Sequence, residues 1–261
     1  MAVPPEQASE QVYRAAPDPA DHRLAHELAV AAGELLVGMR GELRGHALRA
    51  AGDRRSNRFL LDRLGEERGD DAVLSEESAD DGRRLGAKRV WIVDPLDGTR
   101  EYAEPGRTDW AVHVALWVDG YLAAGAVSLP ATGAAYSTWQ PPATPVAPRE
   151  PVVLVSRSRP PAVLDAVLAR WPATPEPMGS AGAKTGAVLA GRASAYVHGG
   201  GQYEWDTAAP VAVAVAAGFR VRRLDGSAPR YNRADPWLPD IVICHPAAAD
   251  ELWAALDEAA A

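Results

Sequence analysis

The 261-residue chain has one cysteine, no excess of positive charge and no apolar run of the roughly 18 residues that a membrane-spanning helix needs. One thiol cannot form an intrachain disulfide, and Cys244, within the apolar run IVIC at 241–244, is predicted to be a buried structural thiol. The formal net charge of −8 argues against binding a nucleic-acid polymer, which requires a basic surface. A small phosphorylated substrate is compatible with this charge, because a bound divalent metal reverses the local sign.

The start of the chain lacks the basic residues and apolar core of a secretion signal, so we expect a cytoplasmic protein with no membrane partner. Residues 1–20 are rich in proline and polar residues and predict a flexible leader. A second proline-rich stretch, at 140–148, predicts a boundary between a metal-binding α+β domain (21–145) and a smaller α/β substrate-side domain (146–261).

Hydrophobic spacing predicts different architectures on the two sides of this boundary. Before it, helices from residue 21 and over about 54–64 precede short strands at 72–74 and 89–93. Alternation on both sides of Asp119-Gly120 then predicts an antiparallel meander over 110–139. After the boundary, strand patterns alternate with helix patterns, at 152–155, 161–170, 181–190, 193–197, 207–217, 219–221, 240–244 and 247–259.

The segment WIVDPLDGT at 91–99 carries the clearest chemical signal. A buried strand ends at Asp94, a proline stiffens the turn, and Asp97 follows three residues later. Two carboxylates held rigidly at a strand end supply the hard oxygen ligands that Mg²⁺ requires. Gly98 permits a backbone conformation that a β-carbon disfavours, and the helical turn after it would suit a phosphate. For Asp97 or Thr99 alone, a simple helix cap is the alternative.

Three further acidic side chains stand at the ends of predicted elements. Glu76 follows a short strand, Asp206 precedes a helix of small residues, and Asp53 stands at the start of the second helix. Each has an ordinary alternative, either a solvated Glu76-Glu77 pair or a helix N-cap at Asp206 and Asp53. Their order along the chain, with the two aspartates of 91–99 between them, predicts that they converge on a metal site.

LSEES at 74–78, WIVDPLDGT at 91–99 and WDTAA at 205–209 closely resemble motifs of the inositol monophosphatase superfamily, over a span from about residue 21 to the C-terminus. DGTREY at 97–102, SRSR at 156–159 and GSAGAK at 179–184 are similar to the CysQ-type 3′-phosphoadenosine 5′-phosphate (PAP) phosphatases within it. The resemblance implies an α/β (α+β) fold, a layered αβαβα sandwich of the inositol monophosphatase/fructose-1,6-bisphosphatase type. It also implies a homodimer.

The resemblance further implies two or three Mg²⁺ per active site and removal of the 3′-phosphate of PAP, with 3′-phosphoadenylyl sulfate as a second substrate. The implied metal ligands are Glu76, Asp94, the Leu96 carbonyl, Asp97 and Asp206. The implied catalytic residues are Asp53, Thr99 and Glu76. The implied substrate-binding residues are Asp97, Gly98, Thr99, Arg100, Ser156, Arg157, Ser180, Lys184 and Asp206.

Two alternatives stay open. The same site could act on inositol phosphate or fructose 1,6-bisphosphate, or the chain could be a catalytically silent metal-binding regulatory protein. The sequence departs from many superfamily members at GHALRAAGD (45–53), which has neither Lys nor Thr, and at Tyr196-Val197-His198, where Tyr-x-Arg is common. His113, His198 and His245 are predicted to have structural roles.

Overall fold

The structure, a computed structural model, describes residues 12–16 and 18–259. Arg14 N and Ala16 N donate to the carbonyls of Leu122 and Ala123 at 2.9 and 2.8 Å. Most of the predicted leader lies outside the described residues, and its flexibility stays a prediction; within it, residues 12–16 are hydrogen-bonded to a strand. In the described chain, no helix has both the length and the apolar character that crossing a membrane requires.

The first half consists of helices and a mixed five-stranded sheet. Its elements are α1 (Pro19–Glu42), α2 (Gly45–Glu67), β1 (Ala72–Ser75), β2 (Arg89–Asp97), α3 (Thr99–Ala103), β3 (Ala111–Val118), β4 (Tyr121–Leu129) and β5 (Ala134–Ser137). The sheet has the order β1-β2-β3-β4-β5, with β1 parallel to β2 and the other neighbours antiparallel. The predicted meander is confirmed, with Asp119 and Gly120 at the β3–β4 turn.

The second half has its own five-stranded sheet. Its elements are β6 (Val152–Ser156), α4 (Leu164–Leu168), β7 (Thr174–Met178), α5 (Ala181–Leu189), β8 (Ala195–Tyr203), α6 (Glu204–Ala216), β9 (Arg220–Arg222), β10 (Trp237–Cys244) and α7 (Ala249–Ala259). The order is β7-β6-β8-β10-β9, with β6 parallel to both neighbours and β10 antiparallel to both of its own.

Three apolar clusters hold these elements in five layers. The first packs α1 and α2 on one face of the first sheet, and the second places α5 and α6 between the two sheets. The third packs α4 and α7 on the outer face of the second sheet and contains Cys244, which is fully buried as predicted. The order helix–sheet–helix–sheet–helix confirms the predicted αβαβα sandwich. The division into domains at 145/146 stays a prediction.

Two elements differ from the prediction for physical reasons. The second helix begins at Gly45 rather than near residue 54, about two and a half turns earlier, because Leu48 and Ala51 continue its buried face toward the N-terminus. β7 was not predicted, because its sequence, TPEPM, has two prolines that cannot donate to a β-ladder. The strand is possible because it lies at an edge of the sheet, with β6 as its only neighbour among the described strands.

Candidate active site

Carboxylates from distant parts of the chain meet at one end of the first sheet. β2 supplies Asp94 and Asp97, the first turn of α6 supplies Asp206, and one carboxylate oxygen of each lies within 4.8 Å of the others. Glu76, just past the end of β1, lies close enough to Asp94 for its charge to act on that carboxyl group. The structure thus brings together the four acidic residues that the sequence predicts as metal ligands.

An irregular end of β2 allows Asp94 and Asp97 to share this cluster. Residues three apart in a regular strand point to opposite faces of the sheet. Here the pairing of β2 with β3 shifts register between the two aspartates, as in a β-bulge. Leu96 N donates to Asp94 Oδ1 at 3.0 Å, and Ser56 Oγ donates to the Pro95 carbonyl at 2.7 Å, which fixes the irregular segment.

Gly98 makes the sharp turn from β2 into α3. Its φ of +83° lies in the left-handed region, and a Cβ built there would lie 3.1 Å from both Asp109 O and Ser180 Cβ. A side chain would therefore meet both backbone strain and close contacts. The turn starts α3 at Thr99, whose hydroxyl consequently lies beside the carboxylate cluster.

The environment of the cluster suits a divalent cation. Burial, followed by the charge of Glu76, raises the pKa of Asp94 well above its ordinary value, and Asp94 Oδ2 has no hydrogen-bond partner among the described residues. Withdrawal from water and the charge of Asp206 raise the pKa of Glu76 to about 7, although much of its side chain is exposed at the rim. Burial and the charge of Asp97 raise the pKa of Asp206 to about 6. Hard oxygen ligands crowded in this way fit Mg²⁺ or a similar ion.

Asp97 is held ionised by groups on its other side. Burial opposes its ionisation, but His113, Ser180 and Lys184 together hold its pKa below the ordinary value. Ser180 Oγ and Gly182 N donate to Asp97 Oδ2 at 2.5 and 2.8 Å, so the first turn of α5 fixes this carboxylate. His113 Nε2 lies 3.2 Å from the same oxygen, so this histidine contacts the site rather than serving the purely structural role predicted for it.

Thr99 and Asp53 form a polar pair next to the cluster. Thr99 Oγ1 lies 3.1 Å from the Leu96 carbonyl oxygen and 3.5 Å from Asp53 Oδ1. Burial, followed by the charge of Glu77, raises the pKa of Asp53 to about 6. Asp53 does not begin a helix as the sequence suggested, because α2 starts at Gly45 and places it two turns inside. The helical position directs Asp53 toward α3, where it can accept a proton.

A cavity of about 400 Å³ opens beside the carboxylates and carries cationic groups on its wall. Lys184 is 4% exposed, and its Nζ donates to the carbonyls of Ser180 and Gly179 at 2.7 and 3.2 Å. Burial lowers the pKa of Lys184 to about 8, against the opposing charge of Asp97. Arg159 and Ser156 line the same cavity, with Arg159 exposed.

Four predicted substrate-binding residues do not line this cavity: Gly98 and Thr99, at the turn into α3, and Arg100 and Arg157. Arg157 Nη2 donates to Glu101 Oε1 at 2.7 Å, and its guanidinium also pairs with Glu104 on the segment after α3. Neither Arg157 nor the exposed Arg100 belongs to the residues that line the cavity. Arg157 instead links β6 to α3, and its neighbour Arg159 faces the cavity.

Sequence reasoning missed the aromatic wall of this cavity. Tyr203, Trp205 and Trp237 line it, together with Tyr196, His198 and Gln202. The ring of Trp205 stacks on that of Tyr203, with 4.8 Å between ring centroids and 11° between planes. The available signal was the glycine run at 199–201 with aromatic residues at 203 and 205 shortly after it, whereas Trp237 is brought in only by strand pairing.

Asp206 is the third residue of α6, not its N-cap. The N-cap is Tyr203, and Asp206 Oδ2 accepts from Tyr203 N at 2.6 Å. This reciprocal capping bond holds one oxygen of Asp206 and leaves the other for the cluster. Capping and cation binding are therefore compatible at this residue.

The fold and the site define a metal-dependent phosphatase. The Inositol monophosphatase family matches residues 10–260, and the chain belongs to this family. Among solved structures, CysQ from Bacteroides thetaiotaomicron is similar with a TM-score of 0.74 and 25% identity, over 88% of this chain and 98% of that chain. SuhB from Mycobacterium tuberculosis is similar with a TM-score of 0.70 and 28% identity, over 94% and 98%.

Within the family, two mycobacterial proteins are similar to this chain over most of its length. A 3′-phosphoadenosine 5′-phosphate phosphatase of Mycobacterium leprae is 51% identical over 240 residues, which cover 86% of this chain and 89% of the relative. The Mycobacterium tuberculosis protein of the same name is 48% identical over 240 residues, covering 87% and 90%.

Proposed function

We propose that this protein is a Mg²⁺-dependent phosphomonoesterase that removes the 3′-phosphate of PAP to give AMP and phosphate, with 3′-phosphoadenylyl sulfate as a second substrate. The observation that carries the proposal is one cavity lined by both carboxylates and cationic side chains. Glu76, Asp97 and Asp206 line it together with Lys184 and Arg159. A substrate with two separate phosphates has a use for both kinds of group, and the relatives at about half identity carry the name of that activity.

Metal binding would fall to the four converging carboxylates. Glu76, Asp94, Asp97, Asp206 and the Leu96 carbonyl are the proposed ligands of two or three Mg²⁺. The bound cations would neutralise phosphate charge and lower the pKa of a coordinated water. The protein prepares this site by holding Asp97 ionised and by leaving Asp94 Oδ2 without a competing hydrogen bond.

Proton transfer would fall to the Thr99–Asp53 pair. A water bound to Thr99 Oγ1 is within reach of Asp53, and a pKa of about 6 suits a general base near neutral pH. The scissile phosphate would lie against Gly98 and Thr99 at the start of α3. We propose direct attack by this water without a covalent intermediate; Cys244, the one cysteine of the chain, is buried in the outer core and takes no part.

The retained 5′-phosphate would lie against the cationic residues of the cavity. Lys184 supplies a buried charge, Arg159 an exposed one, and Ser156 and Ser180 hydroxyl groups. Arg100 and Arg157 were predicted to contact the substrate, but neither lines the cavity. Such a contact would require the segments that carry them to move toward it. We also propose a cytoplasmic homodimer.

The direct test is phosphate release from PAP, inositol 1-phosphate and fructose 1,6-bisphosphate, with Mg²⁺ and with EDTA. We expect PAP to have the highest kcat/KM, the product to be AMP rather than adenosine 3′-phosphate, and EDTA to abolish release. Preference for a sugar phosphate would assign the site to that substrate class. No release from any of the three would favour the silent regulatory protein.

A further inference from the structure

We propose that Tyr203 and Trp237 form an aromatic platform that stacks on the planar base of the substrate, so that these two residues select nucleotides over base-free phosphates. The inference deepens the proposed function and rests on it for the substrate class. In the described chain, these two are among the few large apolar side chains left exposed, at 45% and 46%. Both border the cavity that contains the acidic cluster.

Strand pairing places the two rings side by side. Trp237 at the start of β10 pairs directly with Tyr203 at the end of β8, so both side chains lie on one face of the sheet. The register shifts just beyond, between Leu238 and Asp240, where the glycine run of β8 lies opposite. The Tyr203–Trp237 pair is therefore confined to the ends of β8 and β10 that border the cavity.

A glycine holds the indole in position. Gly201 has φ of +89°, and a Cβ built on it would lie 2.6 Å from Trp237 Nε1. The indole thus packs directly against the backbone of Gly201, where no side chain fits. This contact limits the motion of the ring, so that less entropy is lost when a ligand stacks on it.

Trp205 supports the second ring from behind. It stacks on Tyr203 nearly in parallel, and its carbonyl oxygen lies 3.1 Å from Nδ1 of His113. Tyr203 is the N-cap of α6 and Trp205 and Asp206 lie in its first turn, with Tyr203 N donating to the Asp206 carboxylate. A ligand stacked on Tyr203 therefore lies next to a residue of the acidic cluster.

A planar base fits this wall better than a polyol. Aromatic side chains bind any nucleobase through stacking, whereas a sugar or inositol ring presents hydroxyl groups that need hydrogen-bond partners. The cationic residues Lys184 and Arg159 on the same cavity match the phosphate of a nucleotide. Acidic cluster, cationic residues and aromatic platform together correspond to the parts of a phosphorylated nucleoside.

The test is calorimetric binding of AMP and of ribose 5-phosphate, in Mg²⁺, to the wild type and to Trp237→Ala. We expect Trp237→Ala to weaken AMP binding by about 5- to 150-fold, the usual worth of one stacked base, and to leave ribose 5-phosphate within twofold. Trp237→Phe should keep most of the affinity, and Tyr203→Ala should weaken AMP in the same way. Trp139→Ala is the matched control, because Trp139 is 41% exposed but outside the cavity.

Undiminished AMP affinity in both Trp237→Ala and Tyr203→Ala, or wild-type protein that binds AMP no better than ribose 5-phosphate, would overturn the platform. Failure of the proposed function has a different signature. If the wild type does not hydrolyse PAP but Trp237→Ala still selectively weakens AMP binding, the platform stands and the assigned reaction fails.

Discussion

Arg84 Nη1 donates a hydrogen bond to Asn232 Oδ1 at 2.7 Å, which joins two segments 148 positions apart. The same guanidinium donates to the Arg233 carbonyl and to Asp80. Asn232 N and Arg233 N in turn donate to Glu204, the first residue of α6, at 2.7 and 2.8 Å. Arg84 therefore ties the segment that follows Glu76 to the helix that carries Asp206.

Replacing Arg84 should loosen both segments. Arg84 is 2% exposed, so Arg84→Ala leaves Asn232, a carbonyl and Asp80 without their donor. We expect the free energy of unfolding to fall by about 2–4 kcal/mol, and Mg²⁺ affinity to fall with it. Urea denaturation and calorimetric Mg²⁺ titration measure the two effects. Arg83→Ala, next to it and highly exposed, should leave stability nearly unchanged; equal losses in both variants would contradict the linking role.

The carboxylate cluster should make the metal-free protein less stable as pH rises. The pKa of Asp206 is raised from 3.8 to about 6 and that of Glu76 from 4.5 to about 7, so the folded state binds more protons than the unfolded state between these values. This contribution to stability is complete below about pH 4 and is lost as pH rises toward 7. Mg²⁺ binds the deprotonated cluster and offsets the loss.

Thermal unfolding in EDTA and in Mg²⁺, from pH 5 to 8, measures this effect. We expect the difference in Tm between the two conditions to widen with pH. The difference isolates the cluster, because other titrating groups contribute to both curves. A constant difference over this range would show that metal binding does not require the cluster to lose protons.

Asp94→Asn should separate stability from activity. The change removes one negative charge from a buried, crowded cluster while keeping the shape of the side chain, so Tm in EDTA at pH 8 should rise by about 2–6 °C. Loss of a metal ligand should lower kcat by more than about 100-fold in Mg²⁺. A variant with unchanged turnover would exclude Asp94 from the metal site, and a fall in Tm would show that its charge is already compensated.

Thr99 and Asp53 should act as one unit. Thr99→Ala and Asp53→Asn should each lower kcat by about 10²- to 10⁴-fold at pH 7.5, the usual range for an acid–base group, with little change in KM. The double variant should be about as slow as the slower single variant, because either change breaks the same proton path. Thr108→Ala, at an exposed threonine outside the site, is the control. Losses that multiply in the double variant would argue for independent roles.

The parts of this site that could be predicted are those fixed by local sequence. The buried strand that carries Asp94, the left-handed turn at Gly98 and the helix that follows Ser180 each follow from neighbouring residues, and the layered fold followed from the resemblance of the motifs that contain them. Asp53 was recognised as a candidate site residue but was placed at the start of its helix instead of two turns inside it. The alanine-rich turns before Asp53 lack a strong apolar period, so the sequence did not show that the helix begins at Gly45.

The parts that could not be predicted depend on pairing between distant segments. Trp237 faces the cavity because β10 pairs with β8 in one register, and a shift by one residue would move it to the other face. The partners of Arg84 and Arg157 depend in the same way on which loops meet. The spacing of apolar residues in one sequence does not show which distant segments come into contact.

Lys184 should bind the phosphate that is not hydrolysed. Lys184→Met keeps the length of the side chain and removes its charge, so KM for PAP should rise by about 10-fold or more, as for loss of a charge-assisted hydrogen bond. Inositol 1-phosphate, which has one phosphate, should be affected much less. Lys88 is the only other lysine of the chain and is exposed, so Lys88→Met is the matched control. Lys184 Nζ also donates to the carbonyls of Gly179 and Ser180, so Lys184→Met should make the protein somewhat less stable. That loss would affect the reaction with both substrates alike. Equal effects on both KM values would therefore assign Lys184 to holding the start of α5 rather than to phosphate recognition.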